Sequence, residues 1–172
     1  MRNIKGKSHV EDFEKILENI AVELHPFIHE HHQTWGLMKQ VRDTDAAEGN
    51  MELYCQALNV IVYEIEHHFS QEEELILSRL TRYFPNEEVG PVAKLISEHR
   101  SIQVKYVEVQ QLMKSKPKQM ESQKQMRLLA YLVMKHIEKE DHYFYPMVSL
   151  ILSESEKKKF LNCTKKQTKS MN

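Results

Sequence analysis

Residues that break helices are scarce in this chain. There are four glycines and five prolines among 172 residues. What remains is rich in Glu, Lys, Gln, Leu and Met, which favour helices. Cysteine is scarcer still. Cys55 and Cys163 lie far apart and form no CxxC, which removes a disulfide framework and reads as two reduced thiols of a cytoplasmic protein. Excess charge is absent too, with 24 basic against 25 acidic side chains, so neither nucleic acid nor an anionic membrane is the expected partner. No apolar run reaches the 18 residues of a transmembrane helix, and the opening MRNIKGKSHVED lacks the apolar core of a signal peptide. The length suits one domain with a sizeable core. The residue type in surplus is histidine, ten in all, clustered at 25–32, 67–68 and 136–142.

Three stretches with turn chemistry, VRDTDAAEGN (41–50), RYFPNEEVGP (82–91) and MKSKPK (113–118), divide the chain into four long segments. In each, apolar residues recur every three or four positions, the period of a helix with one buried face. The first starts at a Ser8…Glu11 capping box and runs Leu17, Ile20, Leu24, Phe27, His31, Thr34, Met38, Val41. Pro26 inside it predicts a kink or a division into a short leading helix and a main one. The second reads Tyr54, Leu58, Ile61, Ile65, His68, Glu72, Leu75. The third opens on Pro91 and reads Leu95, His99, Ile102, Tyr106, Val109. The fourth reads Leu129, Val133, His136, Glu140, Tyr143, Met147, with Pro146 expected to end it. The expected fold is all-α: an antiparallel up-down four-helix bundle over residues 8–150. A short helix at the Ser153…Glu156 capping box and a polar tail make up 151–172.

Each apolar seam is interrupted by one histidine: His31, His68, His99 and His136. In two seams a glutamate follows one turn later, His68 with Glu72 and His136 with Glu140. Residues four apart share a helix face. Taken singly, a core histidine is usually just hydrogen-bonded, and a lone His-x-x-x-Glu is commonly a surface pair. Four at once, on seams that converge in a bundle, bring nitrogen and oxygen donors together where a buried carboxylate needs a partner. Imidazole suits iron, zinc or copper, and a carboxylate can bridge two cations and balance their charge. Glu64, Glu73 and Glu98 read as solvated or supporting groups beside this set, and His67 as outward-facing.

These residues resemble the hemerythrin HHE family. His68-Phe69-Ser70-Gln71-Glu72-Glu73 is similar to its H-F-x-x-E-E motif, and His136-Ile137-Glu138-Lys139-Glu140-Asp141, closing on Phe144-Tyr145-Pro146, is a nearer copy. Glu98-His99 and Glu30-His31 match its E-H pairs. The resemblance implies a non-haem di-iron centre with two carboxylate-bridged irons, held by His31, His68, His99 and His136 with Glu72 and Glu140 as bridges. Repair-type members take a further ligand from the N-terminal part of the domain. His25 is the residue expected there, with His32 in reserve. Oxygen-carrying members have a second histidine four residues on in the third helix, where this chain has Gln103. The functions implied are binding or sensing of a small diatomic ligand, oxygen or nitric oxide, then enzymatic or repair chemistry on nitric oxide, peroxide or iron–sulfur clusters, then an iron-responsive interaction module. The absence of a fused signalling or cysteine-bearing domain sets that order.

Overall fold

The computed structural model describes residues 9–44, 50–84, 90–115 and 118–160. Among them the regular structure is helical throughout, so the chain is all-α. Helix α1 spans His9–Glu18, and a 3₁₀ turn at Val22–Leu24 leads into α2, His25–Asp43. Pro26 therefore divides the first segment, and it falls in the opening turn of α2, where its missing N–H has no intrahelical partner to lose. The Ser8 half of the first capping box lies outside the described residues.

Helix α3 begins as Met51–Tyr63, its first turn capped by the Asn50 side chain, which accepts from the Leu53 N–H at 3.1 Å. It continues to Leu80 through two wider π turns, Glu64–His68 and Glu72–Leu77. Helix α4, Pro91–Lys114, starts on Pro91 after Gly90, whose φ of 103° is open to glycine and strained for other residues. Helix α5 is Gln119–Lys139, followed by a π turn at Glu140–Phe144 and α6, Tyr145–Ile151. A last helix, α7, covers 154–160. It opens on the expected capping box, the Glu156 carboxylate accepting from the Ser153 N–H at 2.9 Å and from its hydroxyl at 2.6 Å.

Pro146 does not end the fourth segment. The π turn ahead of it restarts the helix with Pro146 in the opening turn of α6, where a proline is tolerated. The same turn moves the apolar seam by one residue. Tyr143, expected inside, is 74% exposed, while Phe144 and Tyr145 are buried.

The described residues fall into two compact units, one within Met1–His32 and Glu138–Asn172, the other Gln33–Ile137. In the second, a single apolar cluster draws on four helices: Trp35, Met38 and Val41 of α2, Tyr54 and Ile61 of α3, Ile102 and Val109 of α4, Met126, Leu129 and Val133 of α5. Apart from Trp35, which the sequence reading did not place inside, these residues lie on the seams read from the sequence. Burying each large apolar side chain contributes about 1.5–3 kcal/mol. In the first unit Phe27 lies against Tyr145 at 5.8 Å between ring centres, and the Ala21 N–H donates to Ser149 Oγ at 2.9 Å. No described helix is long and apolar enough to cross a membrane.

Candidate metal centre

All four seam histidines are buried, His31 and His68 at 1% exposure, His99 at 0% and His136 at 3%. Glu72 and Glu140 are fully buried. Ionised carboxylates are rarely taken so far from water unless cations or strong donors meet them.

In the second unit, Glu72 stands between two histidines of different helices. Its Oε1 is 3.6 Å from His68 Nε2, and its Oε2 is 3.2 Å from His99 Nε2. Glu72, His99 and His136 each offer a ligand atom within 4.8 Å of the others. Phe69 holds the imidazoles in place. Its ring stacks on His99 at 3.9 Å and meets His136 edge-on at 5.2 Å. Burial alone would raise the Glu72 carboxyl. The charges and hydrogen bonds of His68 and His99 outweigh it and hold the group well below the usual carboxylate range. In the first unit, His31 Nε2 lies 3.1 Å from Glu140 Oε2, with the buried Tyr145 ring 5.7 Å from the imidazole.

The other nitrogen of each imidazole faces a second acid. His31 Nδ1 donates to Asp141 at 2.6 Å and His99 Nδ1 to Glu73 at 2.8 Å. His136 Nδ1 lies 3.4 Å from Glu98, and His68 Nδ1 3.6 Å from Glu64, whose carboxylate also accepts from the Thr34 hydroxyl. A carboxylate on Nδ1 holds a proton there, so that when a cation displaces the Nε2 proton the Nε2 lone pair is free to bind it, the arrangement that metal-bound histidines favour. Two ligand atoms about 2.1 Å from one cation, at 90–109° to each other, stand about 3.0–3.4 Å apart. The Nε2–carboxylate separations of His31 and His99 fall in that interval and that of His68 just above it, so the donor set fits a divalent cation such as iron by chemistry, burial and spacing.

His25 is placed elsewhere than the sequence suggested. Its Nε2 donates to the carbonyl oxygens of Ile20 and Leu17 at 3.0 and 3.2 Å, closing the end of α1. A helix end leaves such carbonyls without partners, and a half-buried imidazole at the start of α2 is in reach of them. His25 is in neither group of side chains that could hold a metal among the described residues. His32 packs on Phe13 at 4.3 Å, while His29, His67 and His142 are exposed. Asp141 was missed by the sequence reading, because on an α-helix it would lie about 140° from His136. The π turn, in which the Tyr145 N–H reaches back five residues to Glu140 O, turns Glu140 and Asp141 inward together. The signal was available in the motif copies: Glu73 and Asp141 each follow the inner glutamate.

A helical chain with four buried histidines, each with an acid at Nδ1 and three with Nε2 on a buried glutamate, has the donor set of a metal-binding protein of the histidine–carboxylate class. The family model described as hemerythrin HHE cation binding domain matches residues 22–148, well over half of the chain. The chain belongs to the hemerythrin HHE cation-binding domain family, and cation binding follows. No curated protein and no solved structure gives a significant match.

Proposed function

We propose that this chain is a non-haem di-iron protein of the cytoplasm that binds or senses a small diatomic ligand, oxygen or nitric oxide. The observation that carries the reading is Glu72, whose two carboxylate oxygens face the Nε2 atoms of two histidines on different helices. Glu72 would hold cations together with His68 and His99, and the repeat of the motif at His136 and Glu140 would supply a second carboxylate for the same purpose. The proposed ligands are His31, His68, His99, His136, Glu72 and Glu140, on an antiparallel up-down four-helix bundle. His25 leaves the set because its Nε2 proton is spent on backbone carbonyls.

Iron, when bound, would supply redox and ligand-binding chemistry at this centre. The chain's own residues do the rest. The imidazoles bind through Nε2 and are oriented through Nδ1. Phe69 and Tyr145 give the histidines apolar walls that limit water. Gln103 stands where the oxygen carriers have a histidine, so the proposed set holds four imidazoles.

The test is absorption spectroscopy of anaerobically iron-loaded protein before and after oxygen and nitric oxide are added. Reversible new bands at stoichiometric ligand support binding or sensing. Sustained catalytic consumption of nitric oxide or peroxide contradicts it in favour of an enzyme.

A further inference from the structure

The two copies of the motif carry the same device with unequal surroundings. In each, the residue after the inner glutamate accepts the Nδ1 proton of a histidine on another helix: Glu73 from His99 on α4, Asp141 from His31 on α2. Glu73 is the longer side chain and leaves 42% of itself in water. Asp141 is fully buried and makes the shorter bond, 2.6 Å against 2.8 Å. Water screens a charge such as that of Glu73 and weakens its pull on the imidazole. Asp141 is shielded from water, so its short hydrogen bond to His31 is screened less than that of Glu73 to His99.

We propose that Asp141 is a positioning residue for the cation centre: it locks the His31 proton on Nδ1 and makes His31 Nε2 a stronger donor than its counterpart His99. The proposal rests on the cation-centre reading above, and it makes the two halves of the motif pair chemically unequal. Asp141 is in neither group of side chains placed to hold a cation among the described residues. It acts through the His31 ring, and the π turn at Glu140–Phe144 is the local structure that makes this reach available. Asparagine at 141 keeps size and an acceptor oxygen but loses the charge. Glutamine at 73 does the same where the charge is already screened.

The experiment compares wild type, Asp141→Asn and Glu73→Gln, each titrated with cobalt(II) and followed by visible absorption, beside thermal melts of the metal-free proteins. The loss of a carboxylate behind a ligating histidine lowers metal affinity about 10–100-fold. The expected result is a loss of that size and shifted cobalt bands for Asp141→Asn, and a loss below about 10-fold for Glu73→Gln. Equal losses in the two variants, or cobalt bands of Asp141→Asn that match wild type, overturn the inference and leave the cation centre standing. A wild type that takes up no cobalt overturns both. Should Asp141→Asn fail to fold, histidine ¹⁵N spectra of the zinc-loaded wild type decide. His31 is expected with its proton on Nδ1 and zinc on Nε2, and zinc on Nδ1 refutes the proposal.

Discussion

Replacing Glu72 by glutamine isolates what the buried charge does, because the two side chains have nearly the same volume. No cavity is made and the core is not overpacked, so the usual large-to-small penalty does not enter. What changes is a carboxylate at 0% exposure whose oxygens face His68 and His99. Its carboxyl is held well below the ordinary range because those histidines outweigh the burial that would raise it. The folded state therefore prefers the ionised form, and glutamine, which resembles the neutral form, loses that preference. Removing one partner of a buried ion pair can cost about 3–5 kcal/mol. Here the histidines can shed a proton instead of staying charged, so the relevant scale is a hydrogen bond to a charged group, about 1.5–3 kcal/mol. At this chain length that lowers the melting temperature by about 4–10 °C. A folded-state pKa below the unfolded one gives stability that is fully present above the unfolded value and lost as pH falls through the folded value. The difference between wild type and Glu72→Gln should therefore be full at pH 7 and shrink progressively below the ordinary carboxyl value of 4.5. The assay is thermal unfolding by circular dichroism in chelator, from pH 7 down to pH 3. A Glu72→Gln protein as stable as wild type at pH 7, or more stable, would refute the reasoning.

In metal-content assays, His31→Ala should lose or weaken a cation, since its Nε2 faces Glu140. His29→Ala, at an exposed position, should be silent. His25→Ala should keep its metal yet be less stable by about 0.5–1.5 kcal/mol, because the Ile20 carbonyl loses its donor while the Leu17 carbonyl keeps the Ile20 N–H. Asp43 should titrate near pH 2 by carboxyl ¹³C NMR, its hydrogen bonds to Arg42 and Lys39 lowering it from 3.8. The pair is nearly half exposed, so Asp43→Asn should change stability at pH 7 by less than about 1 kcal/mol. Iron should raise the melting temperature, by about 2.7 kcal/mol of stability at a hundredfold excess over the dissociation constant, and chelator should reverse the shift.

Period was the legible part of this sequence. The α-helical spacing that makes Ile61, Ile102 and Leu129 core residues also carries His68, His99 and His136 inward, so one reading located both core and inner donors. Breaks in that period were not legible. The π turns at Glu64–His68, Glu72–Leu77 and Glu140–Phe144 add a residue to the local repeat, and no residue type announces them. Tyr143 was therefore placed inside and Asp141 overlooked. Glu64, read as solvated or supporting, is buried between the Thr34 hydroxyl and His68, a partnership across 30 residues that periodicity along one helix does not reveal. His25 is placed away from the candidate metal groups for a different reason. Histidine serves equally as ligand and as hydrogen-bond donor, and only the fold shows that helix α1 stops just where its carbonyls meet that ring.

The histidines and glutamates of this chain are proposed to hold two cations. The most direct measurement is metal stoichiometry: anaerobic iron loading of the folded chain, removal of excess metal, then iron by elemental analysis against protein by amino-acid analysis, with Glu72→Gln alongside. Two irons per chain are expected in wild type and fewer in the variant. One iron or none in fully loaded, folded wild type, or two retained in Glu72→Gln with unchanged affinity, would contradict the proposal.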